Sequence, residues 1–299
     1  MQFMFQYPDF HGTNGSMLDA GPVTDVAKTC EDAGWNGISF TEHPAPGAKW
    51  LDAGGHQTLD PFVALGAAAA VTNRIKLLTY LTVVPYRNPL MLAKSAATVD
   101  LISNGRMILG TGTGYLKGEY RALGVDIEER NTLFDEALDV LPLHWSGEPF
   151  SYEGTHFSAR DVIARPAPVQ RPIPIWIGGN AKLTLRRVGE RAQGWMPLLG
   201  DEALAKTTRS PQLASIDAIS ERLELLKEYA GDRFASLDLV VPYLDQSVFE
   251  PQVDSNKHRE QFAQIRELGA TWVVIPGPIG NAPLAQHFLE AFAAEYISR

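Results

Sequence analysis

Glu42 and His43 form the first pair of residues along the chain that suits proton transfer. They follow an apolar run that ends at Thr41, so both stand at the end of a predicted strand. An imidazole titrates near neutral pH, which makes His43 the stronger candidate for a general acid or base. Consecutive strand residues point to opposite faces, so the sequence alone does not place Glu42 in contact with His43.

A glycine-rich stretch follows the apolar residues 107–109, with Gly110, Gly112 and Gly114 at alternating positions. Glycine leaves the main chain bare, so a planar or phosphorylated group could approach it closely. The dinucleotide-binding fingerprint Gly-x-Gly-x-x-Gly is not matched, because Tyr115 and Lys117 stand where its last glycine would fall. The stretch therefore predicts either a ligand-binding strand end or only a tight turn.

A second glycine-rich stretch, Gly178-Gly179-Asn180, precedes a predicted helix over residues 182–191. The first N–H groups of a helix lack backbone partners and carry partial positive charge, which suits a phosphate. An ordinary strand-to-helix turn is the alternative prediction.

Eight apolar strands alternate with helices along the chain. The predicted strands span residues 2–7, 36–41, 74–84, 107–115, 173–177, 193–197, 237–243 and 271–275. This pattern is typical of an α/β protein with one closed (β/α)8 TIM barrel, here a single domain over residues 1–299 with an insertion over residues 147–174 between strands 4 and 5. An open doubly wound sheet is the alternative, but its phosphate turn would follow the first strand, where this chain has Pro8-Asp9-Phe10-His11.

In such a barrel the functional residues lie at the carboxyl ends of the strands, around one mouth. The candidates are Glu42, His43, residues 80–87, Gly112, Thr113, Gly114, Tyr115, Gly178, Gly179, Asn180, Trp195, Met196, Tyr243 and residues 276–278. The loops predicted over residues 45–57 and 200–210 would shape the substrate pocket, but they carry no recognisable motif.

Charge and composition exclude several classes of protein. The net charge of -9 without a basic stripe argues against nucleic-acid binding and favours a small-molecule substrate. Cys30 is the only cysteine, so we expect neither a disulfide nor a thiolate metal site. This fits a reducing compartment, and we expect a cytoplasmic location. No apolar run is long enough to span a membrane.

Motifs for metal-dependent and hydrolytic chemistry are missing. The histidines show no paired spacing such as His-Glu-x-x-His, so no metal site is expected. The chain has no Gly-x-Ser-x-Gly elbow, and Glu42 is the only carboxylate among the predicted strand ends, whereas a glycosidase needs a pair. The sequence therefore disfavours a hydrolase.

Several of these stretches, in this order, resemble the luciferase-like monooxygenase superfamily and, within it, the oxidoreductases that use the deazaflavin coenzyme F420. The resemblance rests on Thr41-Glu42-His43 and on residues 88–106, 110–115 and 172–180. It implies a (β/α)8 barrel with the insertion, a homodimer, and a flavin or deazaflavin ring at the barrel mouth.

The resemblance also implies roles for the residues at the mouth. Tyr80, Leu81 and Thr82 would back the ring, through a cis peptide bond that does not involve proline. The segment from Gly112 through Thr113 and Gly114 to Tyr115 would adjoin the ring and the ribityl chain. Gly178, Gly179 and Asn180 would bind the phosphate. His43, with Glu42 beside it, would exchange the proton, and Glu119 would either hold a ribityl or backbone group or be exposed.

Two departures separate this chain from the sugar-phosphate dehydrogenases of the family. Those enzymes carry a glutamate directly after Gly-Thr-Gly and a tryptophan close behind the histidine, where this chain has Tyr115 and Pro44-Ala45-Pro46. This difference argues against sugar-phosphate oxidation. Glu42, where many deazaflavin enzymes have aspartate, leaves FMN as an alternative cofactor.

Three functions follow as hypotheses. The first is an F420-dependent oxidoreductase that transfers a hydride to or from a small organic substrate. The second is an FMN-dependent monooxygenase that uses O2 and requires a partner flavin reductase. The third is a catalytically silent barrel that binds a ligand.

Overall fold

The computed structural model describes residues 1–9 and 16–297. Within them a parallel sheet closes into a barrel with eight strand positions, one of which is shared by two short strands, β3 (Lys76–Thr79) and β4 (Thr82–Val83). The strands are β1 (Gln2–Gln6), β2 (Gly37–Phe40), β3 (Lys76–Thr79), β4 (Thr82–Val83), β5 (Met107–Gly112), β6 (Phe150–Glu153), β7 (Ser158–Val162), β8 (Ile175–Gly178), β9 (Gly194–Met196), β10 (Asp238–Pro242) and β11 (Trp272–Pro276). β1 pairs with β2 and β11, and β3 closes the ring against β5. The predicted TIM barrel is confirmed, while Phe10 and His11, after the first strand, lie outside the described residues.

Helices surround the barrel wall and its mouth. They are α1 (Val23–Ala33), α2 (Ala48–Asp52), α3 (Pro61–Val71), α4 (Pro89–Ile102), α5 (Lys117–Ala122), α6 (Arg130–Trp145), α7 (Lys182–Arg191), α8 (Glu202–Thr208), α9 (Asp217–Ala230), α10 (Ser255–Glu267) and α11 (Ala282–Tyr296). Asp60 and Asn88 cap α3 and α4 ahead of a proline at the first helical position. In the described part of the chain, none of these helices combines the length and the apolar character that crossing a bilayer requires.

The short helices α2 and α8 lie where the sequence predicts only loops. Both contain seven residues or fewer and have no buried residue, so they lack the apolar periodicity by which longer helices are recognised. Asp201 accepts a hydrogen bond from the N–H group of Leu204 and caps α8. The two loops that shape the barrel mouth are therefore partly helical.

Alternate side chains of the strands pack on opposite sides of the barrel wall. The cluster inside the barrel consists of Met4, Leu78, Ile108, Trp176, Met196, Val240, Trp272 and Val274. A larger cluster outside the wall joins the strands to the helices. Because the interior is filled with side chains, a ligand has to bind above it, at the mouth.

The third strand is broken, although the sequence predicts one long strand over residues 74–84. Tyr80 and Leu81 separate β3 from β4 and are joined by a cis peptide bond, as the resemblance implies. After the break, Thr82 and Val83 pair with Thr111 and Gly112 of β5. The prediction of a continuous strand is wrong because β-branched composition cannot reveal a two-residue break in the ladder.

A buried arginine joins the end of α3 to the start of β5. Arg106 is 6% exposed, and its guanidinium donates to the carbonyl oxygens of Ala69, Thr72 and Ile75. The last carbonyls of a helix have no partner within the helix, so Arg106 satisfies acceptors that would otherwise be buried and unpaired. This part of the 88–106 motif therefore has a structural role.

The predicted insertion is confirmed as an antiparallel hairpin of β6 and β7 after α6. Its turn is held by Glu136 on α6, whose carboxylate accepts from the N–H groups of Thr155, His156 and Phe157. His156 Nδ1 lies 2.8 Å from Glu136, and its Nε2 lies 3.2 Å from Glu129. A protonated His156 bridges the two carboxylates and links the hairpin to the barrel.

We expect this contact to make stability depend on pH. The hydrogen bond to Glu136 raises the pKa of His156, so its contribution is complete below the ordinary histidine value and is lost as pH rises through the folded value. Burial raises the pKa of Glu136, but hydrogen bonds from His156 and Phe157 outweigh burial and lower it. That contribution is present above the ordinary glutamate value and is lost as pH falls through the folded value.

The variant His156→Gln should therefore lose most stability relative to the parent protein between about pH 5 and 6, and less at about pH 9. Urea unfolding midpoints over this range measure the difference. His287→Gln, at an exposed position of α11, is the matched control and should shift the midpoint little. An equal loss for His156→Gln at both ends of the range would contradict the bridging role.

Candidate functional site

A cavity of about 350 Å³ opens at the carboxyl ends of the strands. The predicted site residues that line it are Glu42, His43, Tyr80, Leu81, Gly112, Thr113, Gly114, Tyr115, Gly178 and Gly179. Thr82 and Asn180 are buried beside the cavity and are not among its lining residues. The barrel therefore brings residues from the second, third, fourth and fifth strand positions together, in a volume typical of small-molecule sites.

His43 is held on two sides. Its N–H group donates to Thr58 Oγ1 at 2.8 Å, and the Thr58 hydroxyl donates back to the His43 carbonyl oxygen at 3.2 Å. Its Nδ1 lies 3.0 Å from Glu119 Oε2. Because Nδ1 is engaged by Glu119, Nε2 is the ring nitrogen available to a ligand in the cavity. A neutral imidazole that donates from Nδ1 carries its free lone pair on Nε2, as a general base requires.

Glu119 is the carboxylate that pairs with His43. It lies on α5 with 0% exposure, and it also accepts from the Tyr86 hydroxyl at 2.9 Å and from the Ala45 N–H group at 3.1 Å. Burial, and then the Glu119 charge, raise the pKa of Tyr86 well above its usual range, so its hydroxyl remains a donor. The expectation that Glu119 is exposed is wrong, whereas the expected contact with a backbone group is made, by the Ala45 N–H group.

Glu42 does not pair with His43. Its carboxylate accepts from Thr82 Oγ1 at 3.0 Å and from the Val83 N–H group at 2.7 Å, and it forms an ion pair with Arg87. Neighbouring strand residues point in opposite directions, so the two side chains serve different purposes. Glu42 fixes the β4 segment after the cis peptide, and the expectation that it assists His43 is corrected.

Gly112 and Gly178 make room for the side chain of Leu81. A Cβ atom at Gly112 would lie 2.5 Å from Leu81 Cδ1, and one at Gly178 would lie 2.3 Å from Leu81 Cδ2. The Leu81 side chain therefore lies between the ends of β5 and β8 and forms part of the cavity floor. Both glycines still line the cavity, so a flat ligand would meet the isobutyl group of Leu81 as well as their main chain.

The N–H groups predicted to bind phosphate are mostly engaged. The N–H group of Gly179 donates to the Met196 carbonyl at 3.1 Å, and that of Asn180 donates to Ser210 Oγ at 3.1 Å. The Asn180 amide bonds to Leu198 and Pro211 main-chain atoms and holds two loop segments together. Donors without such partners begin two residues later, in the first turn of α7, which has no capping side chain.

An arginine-lined side arm adjoins the main cavity. This smaller cavity, of about 140 Å³, shares the rim formed by Thr184 and Arg209. Arg130 and Arg187 line its far side, and Arg187 is held by Asp135 at 2.7 Å. Arg209 is exposed at the end of α8. Asp135 pairs the charge of Arg187, so Arg130, Arg209 and the amino end of α7 are what give this side of the mouth a positive potential.

Three aromatic rings lie close to the His43 ring, and one of them, Tyr115, lines both the main cavity and the arm. Ring centroids of Trp50, His56 and Tyr115 lie 4.6, 5.0 and 5.9 Å from that of His43. Burial raises the pKa of Tyr115 to about 12, so its hydroxyl stays protonated. Sequence reasoning missed Trp50, which comes from α2 in a loop without a recognisable motif.

The remaining strand-end candidates lie elsewhere. The Tyr243 hydroxyl contacts His258 and Gln261 on α10, so this side chain faces away from the mouth. The Trp195 indole N–H donates to the Gly179 carbonyl at 2.8 Å, and Met196 lines the main cavity. Residues 276–278 line a separate cavity of about 590 Å³ beside the ends of β1 and β11. Among the described residues, no group of three or more acidic, histidine or cysteine side chains could hold a metal ion.

Known proteins resemble this chain in sequence and in fold. The model of the luciferase-like monooxygenase family matches residues 1–216. An uncharacterized protein of Mycobacterium tuberculosis is 31% identical over 256 residues, which cover 85% of this chain and 82% of that protein. An F420-dependent glucose-6-phosphate dehydrogenase of Beutenbergia cavernae is 32% identical over 197 residues, 64% of this chain and 57% of that enzyme. The crystal structure of a monooxygenase from Streptomyces bottropensis aligns with a TM-score of 0.75 at 19% identity, covering 99% of both chains, a likeness of fold alone.

The variant Gly178→Ala tests the packing of Leu81 without reference to activity. Its new Cβ would meet Leu81 Cδ2 at 2.3 Å, so Leu81 or the backbone must move. We expect the free energy of unfolding to fall by about 1–3 kcal/mol. In a Leu81→Ala background the same substitution should cost much less, because the clashing methyl groups are gone.

Denaturant unfolding of the four proteins in this double-mutant cycle measures the coupling. Gly66→Ala is the matched control, because a Cβ there has nothing within 4 Å and Gly66 lies inside α3. The free energy of unfolding of this control should rise by about 0.5–1 kcal/mol, because alanine favours the helix more than glycine does. If Gly178→Ala costs the same in both backgrounds, Leu81 does not occupy the space above the glycine.

Proposed function

Because the chain belongs to the luciferase-like monooxygenase family, we propose that it is an oxidoreductase that uses coenzyme F420 to transfer a hydride to or from a small organic substrate. The observation that carries this proposal is the placement of His43, whose Nδ1 is tied to buried Glu119 while its ring faces a cavity floored by Leu81. A histidine in this setting exchanges one proton, and a hydride transfer to a bound cofactor accounts for the electrons.

The residues at the mouth fit a deazaflavin. A flat ring would pack on Leu81 and against the Gly112 to Gly114 segment, where a larger residue would clash with Leu81 or Val83. The cofactor's phosphate would meet the uncapped first turn of α7, near Ala181 and Thr184. When bound, the deazaflavin supplies hydride exchange with the substrate. The protein supplies binding, orientation and proton transfer.

The arginine-lined arm favours F420 over FMN. FMN ends at its phosphate, whereas F420 continues from the phosphate into a negatively charged glutamate tail. Arg130, Arg187 and Arg209 stand where such a tail would extend from the first turn of α7. The F420-dependent relative from Beutenbergia cavernae supports the same choice. An FMN-dependent monooxygenase with a partner reductase is the alternative, and it would leave this arm without a ligand.

Proton transfer is assigned to His43 Nε2. The Glu119 carboxylate accepts the Nδ1 proton, which fixes the ring tautomer and orients Nε2. In the oxidative direction Nε2 accepts the proton of a substrate hydroxyl, and in the reductive direction it returns a proton to the substrate oxygen. Glu119 is a positioning residue, since His43 separates it from the substrate.

We also propose that two copies of the chain form a homodimer, as the resemblance implies. Val63, at 73% exposure, and Val71, at 37%, lie along one face of α3, and Met91, at 64%, lies on neighbouring α4. This apolar face would be covered by the same face of a second copy.

The proposal is tested first by cofactor binding. We expect the purified protein to bind F420 at least about tenfold more tightly than FMN, because only F420 uses the arm. Parallel fluorescence titrations with the two cofactors measure this ratio. Arg209→Gln should reduce the ratio of the two affinities. Arg186→Gln, at an exposed position of α7 outside the arm, should leave this ratio unchanged. Tight binding of FMN alone would favour the FMN-dependent monooxygenase, and binding of neither cofactor would refute the proposed function.

Activity then separates an enzyme from a silent barrel. His43→Ala should reduce kcat by about 10²-fold or more while the F420 dissociation constant stays within about twofold. Glu119→Gln keeps an acceptor but loses the charge, and it should reduce kcat by about 10 to 10²-fold. The matched control is Glu128→Gln, an exposed position outside the mouth. An F420-binding protein whose turnover is undetectable, or indifferent to His43, would contradict the proposed catalysis.

A further inference from the structure

The cavity around His43 is rich in aromatic rings. Tyr80, Tyr86, Tyr115 and His56 line it, and Trp50 packs on the His43 ring at a tilt of 45°. His56 and Tyr115 meet His43 edge-on, at 78° and 76°. Such ring edges and faces offer a flat apolar partner the offset and edge-to-face contacts that aromatic groups prefer.

Among the described residues, the arginines of this region are either paired with a carboxylate or placed at its rim. Glu42, the carboxylate that lines the cavity, is neutralised by Arg87, and Glu119 lies behind His43 with its oxygens engaged. Lys49 is the only lysine or arginine between residues 41 and 60; it is exposed on α2 and does not line the cavity. Arg209 lines it at the rim shared with the arginine-lined arm, where the cofactor's tail would lie.

This count covers the described residues. Of the residues outside them, 10–15 (Phe-His-Gly-Thr-Asn-Gly) contain no lysine, arginine, aspartate or glutamate, and 298–299 contain Arg299. A phosphate or carboxylate beside His43 would therefore lose its water without gaining a fixed opposite charge, which is unfavourable. An uncharged ring would lose only water that is poorly held on apolar surface.

We infer that the substrate is an uncharged alcohol or carbonyl compound that carries a flat apolar ring, in contrast to the sugar phosphate named for the relative from Beutenbergia cavernae. The inference rests on the proposed function. In the oxidative direction the alcohol carbon loses a hydride, which oxidised F420 takes up, and the hydroxyl loses its proton to His43 Nε2. The product is the ketone or aldehyde, and the carbonyl substrate of the reverse reaction gains the same hydride and proton.

Two ligands that differ in one substituent, which is charged in only one of them, test this inference. 1-Phenylethanol and mandelate share a phenyl ring and a secondary alcohol, but mandelate has a carboxylate where 1-phenylethanol has a methyl group. Calorimetric titration of the F420-saturated protein measures binding of each, with glucose 6-phosphate as a third ligand. We expect 1-phenylethanol to bind at least about tenfold more tightly than either anion. Equal or tighter binding of mandelate or glucose 6-phosphate would overturn the inference.

A variant separates ring recognition from cofactor binding. Trp50→Leu removes the ring that packs on His43 and should weaken 1-phenylethanol binding by about fivefold or more, while the F420 dissociation constant is unchanged. If this variant does not fold, the comparison of the three ligands on the parent protein still decides. Failure to bind F420 refutes the proposed function, whereas F420 binding with a preference for the anions refutes only the substrate class.

Discussion

Two buried carboxylates organise the mouth of the barrel, because an ionised side chain removed from water must be met by donors around it. Glu42 is 4% exposed and Glu119 is 0% exposed. Each accepts from at least one side chain and from one main-chain N–H group. Glu42 thereby joins its own segment to residues 82–87, and Glu119 joins α5 to residues 43–45 and to Tyr86. Loss of either carboxylate would leave several donors without their acceptor, and this requirement keeps the loops in place.

The two carboxylates divide the work of positioning the site. Glu42 holds Thr82 and Val83 directly after Leu81, and thereby fixes the residue that forms part of the cavity floor. Glu119 holds His43, which stands at the side of the same cavity. The cavity floor and His43 are thus fixed independently, although Glu42 and His43 are neighbours in sequence. The Glu42-His43 dipeptide therefore marks where the site lies, but its two side chains do not contact each other's partners.

The sequence predicts the barrel well because its signals are local. Apolar strand segments alternate with segments of helical periodicity. An N-cap residue followed by proline, such as Asn88-Pro89, marks where a helix begins. The site is predicted only as a set of strand ends, because its contacts join residues far apart in the chain. His43 and Glu119 are separated by 76 positions, and no local pattern relates them. The sequence predicts that the main chain at Gly178-Gly179-Asn180 binds a phosphate, yet the Asn180 N–H group donates to Ser210 and its amide holds Leu198 and Pro211.

The distribution of charge along the cavity determines how an elongated anionic cofactor can lie in it. The first turn of α7 and Arg209 make one end positive, while rings and neutralised groups surround His43 at the other. A molecule with a phosphate at one end and a neutral flat ring at the other gains from only one orientation, since the reverse would place its charge where no cation compensates it. In that orientation the ring would lie over Leu81 with His43 beside it. Binding energy gained at the charged end would then align the other end, as remote contacts do when they contribute to catalysis.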